Sequence, residues 1–314
     1  MDRRTFVKKS FGASIAFGAL VKTGRMFSSS QGILPGGYFG EKPADLSYDL
    51  VAIKGGEPED MFDQGIKALG GMQAFVKKGS RVVVKPNIGW DVSPERGGNT
   101  NPKLVSRIIK HCLDAGAKEV SVVDHPCDEW QRCYTDSGIE KAVKDAGGKM
   151  VPGASEKYYH PVAVKAGRTL TSTEEHEVIL DADVFINVPI LKSHSGTRLT
   201  AGMKNLMGNV WDRGTWHRLD VNQCIADFST YRKPTLNVLD AYLVMTANGP
   251  RGISTNDVVV MKAQLISTDI LALDVAGAKL FGVKPEDVRY IEIASQMKIG
   301  RKDLDNLNIK RISM

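Results

Sequence analysis

The run Arg81-Val82-Val83-Val84-Lys85, halted by Pro86-Asn87, constrains the fold more than any other stretch of the chain. Successive β-branched residues favour a strand. With no polar alternation, that strand is apolar on both faces, as strands are in parallel sheets covered by helices. Val51-Ala52-Ile53, Glu119 to Asp124, Ala182 to Leu191, Leu236 to Ala241 and Val258 to Ile266 read as further strands. Between them, helices are expected over 58–69, 139–146, 200–210 and 269–281. Another begins at Pro102, capped by Asn101 and ended by Gly116. Its apolar face is Leu104, Val105, Ile108, Ile109 and Cys112. The expected fold is therefore α/β, a mostly parallel sheet covered by helices. It forms one body, or two α/β lobes divided in the polar stretch 153–177.

Composition removes several classes. With 42% hydrophobic and 25% charged residues over 314 positions, the chain is neither disordered, fibrous nor a disulfide mini-scaffold. It has no run of 18 apolar residues, which argues against a multi-span membrane protein. The net charge of +6 raises the question of nucleic acid. Its location answers no. Arg3, Arg4, Lys8, Lys9, Lys22 and Arg25 stand against Asp2 alone, so the rest of the chain is close to neutral.

That basic N-terminus reads as an export signal. Arg3-Arg4-Thr5-Phe6-Val7-Lys8-Lys9 fits the twin-arginine pattern, and Ser10 to Val21 is a short, weakly apolar core. Export implies the twin-arginine translocase as a partner. It places the chain in the periplasm, or attached to the membrane through an uncleaved signal. Such systems carry folded proteins, which raises the expectation of a bound cofactor or an exported redox partner. Among the cysteines, Cys127 and Cys133 are either a disulfide or small loop residues. No Cys-x-x-Cys or ferredoxin-type run exists, so an iron–sulfur cluster is not expected.

Candidate chemistry gathers at strand ends, where open α/β sheets bind ligands. One strand ends in Lys85-Pro86-Asn87, one in Asp124-His125-Pro126, one in Lys192-Ser193-His194 and one in Asp240. Lys85 and Lys192 would hold a carboxylate or phosphate. His125 and His194 suit acid–base work near neutral pH. Lys204-Asn205 interrupts an apolar helix pattern, and such groups need partners. Gly249-Pro250-Arg251-Gly252 is either an anion cradle containing Arg251 or a tight turn. His194, His217 and Cys224 have ligand types suited to zinc or nickel. No Walker loop or dinucleotide fingerprint is present.

Several segments together resemble a known family. They include Val84-Lys85-Pro86-Asn87, Asn99-Thr100-Asn101-Pro102, and Asn187 through His194. Gly202-Met203-Lys204-Asn205-Leu206-Met207-Gly208, Asn248 to Gly252 and Ser267-Thr268-Asp269 follow in order. The chain is similar to the family known as domain of unknown function 362. The resemblance spans a family domain over 48–300, which leaves the signal over 1–30, a linker over 31–47 and a C-terminal tail over 301–314 outside it. Many members carry a ferredoxin-like cluster segment, whose cysteines this chain lacks. The chain also resembles the nickel-pincer lactate racemases. That resemblance implies Lys204 as the cofactor-bearing lysine, His217 as a nickel ligand and His194 with His125 as acid and base. Lys85 would meet a substrate carboxylate. Lys85-Pro86-Asn87 replaces the racemases' Arg-Pro strand end, and the spacing to His217 is shorter.

Two functions follow. In the first, an exported enzyme acts on a small anionic substrate. His194, His125 and Lys204 are catalytic; Lys85, Asn87, Lys192, Asn205, Arg251 and Asp240 bind substrate; a metal or cofactor is an option. In the second, the same cations serve a non-catalytic anion-binding protein or an accessory subunit of an exported redox assembly.

Overall fold

The computed structural model describes residues 46–314. The expected export signal and nearly all of the expected linker lie outside these residues. The chain opens with β1 (Leu50–Lys54), α1 (Pro58–Ala68), β2 (Arg81–Pro86), α2 (Pro102–Asp114) and β3 (Glu119–Val122). Next come α3 (Trp130–Asp136), α4 (Ile139–Asp145), β4 (Lys149–Met150), β5 (Tyr159–Ala163), β6 (Ser172–His176) and α5 (Glu177–Leu180). The middle of the chain holds β7 (Val184–Val188), β8 (Ile190–His194), β9 (Arg198–Thr200), α6 (Gly202–Asn205), α7 (Arg213–Leu219) and α8 (Val221–Tyr231). It closes with β10 (Leu236–Met245), β11 (Val258–Ser267), α9 (Ile270–Phe281), α10 (Arg289–Gln296) and β12 (Ile309–Ser313).

The main sheet runs β12-β1-β11-β10-β7-β2-β3-β4, with β8 joined to β10 and β9 to β8. Strands β10, β7, β2, β3 and β4 are mutually parallel neighbours. β11 is antiparallel to both β1 and β10. The fold is α/β, as the β-branched runs predict. Burial on both faces follows from the pleat. Val82 and Val84 pack with Ile66, Leu104 and Ile108 on one side. Val83 packs on the other with Phe185, Leu206, Ile225 and Leu273. Residues 153–177 carry the two-stranded β5–β6 sheet. The 301–314 segment, expected as a tail, ends in β12, which pairs in parallel with β1 at the sheet edge.

Two elements differ from expectation for local reasons. The strand expected over 182–191 divides at Pro189, which has no N–H to donate to a ladder. β8 then turns back through β9 as an antiparallel hairpin. The helix expected over 200–210 is α6 followed by a 3-10 turn over Leu206–Asn209. Gly202 and Gly208 weaken a regular helix there. α6 is held instead by α9, whose Asp274 accepts from Gly202 N–H at 2.6 Å and Met203 N–H at 3.0 Å.

This topology positions the site. From β2 the chain leaves through α2 towards β3 and β4, whereas β7 lies on the opposite side of β2. The crevice beyond the carboxyl ends of β2 and β7 is thus a topological switch point.

Candidate functional site

β2 delivers Lys85 and Asn87 to this crevice, the β3 end delivers Asp124 and His125, and β8 delivers Lys192 and His194. α6 supplies Lys204 and Asn205. They line one small cleft of about 60 Å³ with Thr200, Met207, Gly208, Arg213, Cys127, Trp90 and Pro250. A larger depression of about 600 Å³ lies on the outer surface between α1, α2 and α4, lined by residues such as Lys103, Arg107 and Lys141. Its charges are of both signs, whereas the strand-end cleft gathers the residues that the strand ends deliver.

The cleft is held by buried polar chains. Lys85 Nζ pairs with Asp124 Oδ1 at 2.7 Å, and Asp124 Oδ2 accepts from Ile88 N–H at 2.6 Å. Lys192 Nζ donates to Asn87 Oδ1 at 3.0 Å and to the carbonyl of Gly98. Asn87 donates to Asn205 at 3.0 Å, Asn205 to Asn187 at 2.9 Å, and Asn187 to Asn237 at 3.0 Å. This asparagine series locks the strand ends together and fixes Lys192 from behind, because each amide can donate and accept. Gly208 rests against the ion pair, where an added Cβ would collide with Asp124 Oδ1.

Charge in the cleft is unbalanced. Lys85, Lys192, Lys204 and Arg213 face Asp124, which is already engaged by Lys85. Arg213 donates to the carbonyls of His125 at 2.8 Å and Pro126 at 2.6 Å, and among the described residues it meets no carboxylate. Among the described residues, the Lys204 ammonium makes no hydrogen bond or ion pair. Burial, reinforced by neighbouring cations, pushes Lys204 down to about 8 and Lys192 to about 7. Burial also lowers Lys85, opposed by Asp124.

The two histidines adopt complementary states. His125 Nδ1 lies 2.9 Å from the carbonyl of Val210, which only accepts, so Nδ1 carries the proton and Nε2 is bare. His194 Nδ1 instead accepts from Gly196 N–H at 3.0 Å, so the proton sits on Nε2. Burial and then Arg213 push His125 down to about 4. Burial and then Lys204 and Lys192 push His194 down to about 3. Both rings are neutral near pH 7. His125 stacks on Trp211, with ring centroids 4.9 Å apart.

Of the residues singled out by sequence, Lys85, Asn87, His125, Lys192, His194, Lys204 and Asn205 come together. Four do not line the cleft. Asp240 is buried and accepts from Asn101 N–H at 2.7 Å and Tyr242 N–H at 3.0 Å, which holds the entry to α2. Burial pushes its carboxyl up to about 6. Arg251 is bound by Asp91 and, at 3.0 Å, by Asp128. His217 is exposed on α7. Cys224 is buried in the core under α8, so it cannot join His194 and His217 around a metal. Among the described residues, no three His, Cys, Asp or Glu side chains form a group able to hold a metal ion. A nucleotide-sized pincer group needs several hundred Å³, and the expected nickel ligand His217 does not line this cleft of about 60 Å³, so the residues gathered here do not fit one. Sequence reasoning missed Arg213, Thr200 and Cys127 as cleft residues. Arg213 belongs to a helix far along the chain from the strand ends it caps, and no local pattern marks it.

The chain is 28% identical over 249 residues to the thylakoid-associated protein sll1697 of Synechocystis sp. strain PCC 6803, covering 75% of this chain and 73% of that relative. Among solved structures it is similar to the lactate racemase apoprotein from Thermoanaerobacterium thermosaccharolyticum, at 12% identity and a TM-score of 0.43. That match covers 76% of this chain and 57% of the racemase. A Thermotoga maritima protein matches at 10% identity and a TM-score of 0.41, covering 77% of this chain and 60% of that one. The family model for the domain of unknown function DUF362 matches residues 82–279, and the chain belongs to that family.

Proposed function

We propose that the chain is an enzyme that moves protons on a small carboxylate or phosphate. The observation that carries this reading is the pair of neutral histidines in opposite tautomers, His125 and His194, in a cleft with excess positive charge. Lys204, Lys192 and Arg213 hold the anion. His125 Nε2 accepts a proton from the bound molecule, and His194 Nε2–H donates one. The ammonium groups stabilise negative charge as it develops. Anion binding offsets the neighbouring positive charge and raises the basicity of both rings. The space suits a carboxylate or phosphate head, with the rest of the molecule in the cleft mouth.

The test is exchange of carbon-bound hydrogen with heavy water, followed by NMR across a panel of small carboxylates. Exchange is expected for the wild type and should fall at least about 100-fold in His125→Ala and His194→Ala. A second reading, an anion-binding or accessory subunit of an exported redox assembly, draws on the low basicity of both histidines in the free protein. Calorimetric binding of an anion without exchange would favour it. Neither binding nor exchange would overturn both. The twin-arginine signal, and with it export, remains part of this proposal. The thylakoid-associated relative supports a membrane-related setting. Among the described residues, no helix is long and apolar enough to cross a membrane.

A further inference from the structure

Acid–base chemistry leaves one cleft group unused. Cys127 is exposed, whereas Cys112, Cys133 and Cys224 are buried, and all four are free thiols. Its loop is pinned, because Cys127 N–H donates to the carbonyl of Gly89 at 2.8 Å. Arg213 Nη1 donates to Sγ at 3.4 Å. Lys85, Lys192 and Lys204 line the same cleft. Cys127 also shares the cleft with Thr200, which is 3% exposed and whose Oγ1 is buried with no hydrogen-bond partner. A buried hydroxyl without a partner is rare. Here it lines a cavity in which a ligand atom could satisfy it. The thiol is thus a soft nucleophile placed in a cation-rich cleft with the buried Thr200.

We propose that Cys127 is the nucleophile of the cleft, attacking an electrophilic carbon of a small anion held by Lys204, Lys192 and Arg213. The proposal rests on the anion reading of the site and deepens it. In the step, the Sγ–C bond forms and the thiol proton passes to water. The leaving group departs with the electron pair of the bond that breaks. The attacking form is the thiolate, and the surrounding cations draw the anionic reagent to it.

The experiment compares iodoacetate with iodoacetamide on the folded protein, reading Cys127 by peptide mass. A thiolate free in water repels the iodoacetate anion and reacts faster with the neutral amide. At Cys127 the order should invert, with iodoacetate faster by about tenfold, iodide released and one carboxymethyl group gained. Sulfate should slow the labelling, and Lys204→Met, with its fold confirmed by circular dichroism, should reduce the preference. Faster labelling by iodoacetamide, or no protection by sulfate, would overturn the proposal. If sulfate still binds by calorimetry in that case, only the nucleophile is lost. If sulfate does not bind, the anion site is lost with it.

Discussion

Lys85 Nζ stands 2.7 Å from Asp124 Oδ1, and both side chains are buried at the junction of β2 and the β3 end. Neither charge can turn to water if the other is removed. Lys85→Met or Asp124→Asn should each destabilise the protein by about 3–5 kcal/mol, since each leaves a buried charge uncompensated. The double variant Lys85→Met/Asp124→Asn should lose markedly less than the sum. Urea unfolding of all three variants checks this, and simple additivity would count against a coupled pair.

Lys204 presents the opposite case. Its ammonium has no partner among the described residues, and its pKa is pushed down to about 8. Lys204→Met should therefore stabilise the free protein at pH 7, by about 1–2 kcal/mol, while weakening anion binding. The sign of the pH dependence follows. The unfolded lysine binds its proton up to its ordinary value, near 10.5, whereas the folded one releases it near 8. Stability linked to Lys204 is thus present above the unfolded value and lost as pH falls through the folded one. Unfolding free energy should rise for the wild type between pH 8 and pH 10, and Lys204→Met should flatten part of that rise. Parallel curves would remove the assignment.

Anion affinity should show the reverse trend. Binding requires charged ammonium groups, and Lys192 and Lys204 release protons near 7 and 8 in the free protein. Sulfate keeps its charge across this range, which isolates the protein's titration. Its affinity, measured by calorimetry, should fall at least about tenfold between pH 6 and pH 9. The bound anion favours the protonated lysines, so the midpoint should lie above the free-protein values. Affinity that stays flat across this range would show that these lysines do not hold the anion.

The sheet was legible because its determinants are local. Val82, Val83 and Val84 read as a strand buried on both sides, and Asn101-Pro102 marks the start of α2, where Asn101 accepts from Lys103 N–H at 3.0 Å. The antiparallel place of β11 was not legible, since an apolar strand carries no mark of its neighbour's direction. In the site, polar residues following strands were found because the fold class directs attention there. Asp240 and Arg251 look the same in sequence, yet one serves backbone N–H groups and the other is held by Asp91 and Asp128. Those partners lie far away in the chain and become visible only after folding.

Gly208 is where the sequence motif and the ion pair meet. It sits in the 3-10 turn after α6, and its carbonyl accepts from His125 N–H at 3.2 Å. A Cβ here would collide with Asp124 Oδ1 and lie 2.7 Å from Lys85 Nζ. Relief requires either the turn to lift from the β3 end or the ion pair to separate. Lifting the turn would displace the backbone that carries Lys204 and loosen His125. Separating the ion pair would leave buried charges apart. Gly208→Ala should therefore cost about 1–3 kcal/mol of stability through overpacking, and sulfate affinity should fall with it. The informative comparison is Gly196→Ala, where a Cβ would meet only the His194 ring, at 3.5 Å. That variant should leave stability nearly unchanged. If Gly208→Ala proves as mild as Gly196→Ala in urea unfolding and sulfate calorimetry, the close seat of the turn on the Lys85–Asp124 pair is not what shapes the cleft.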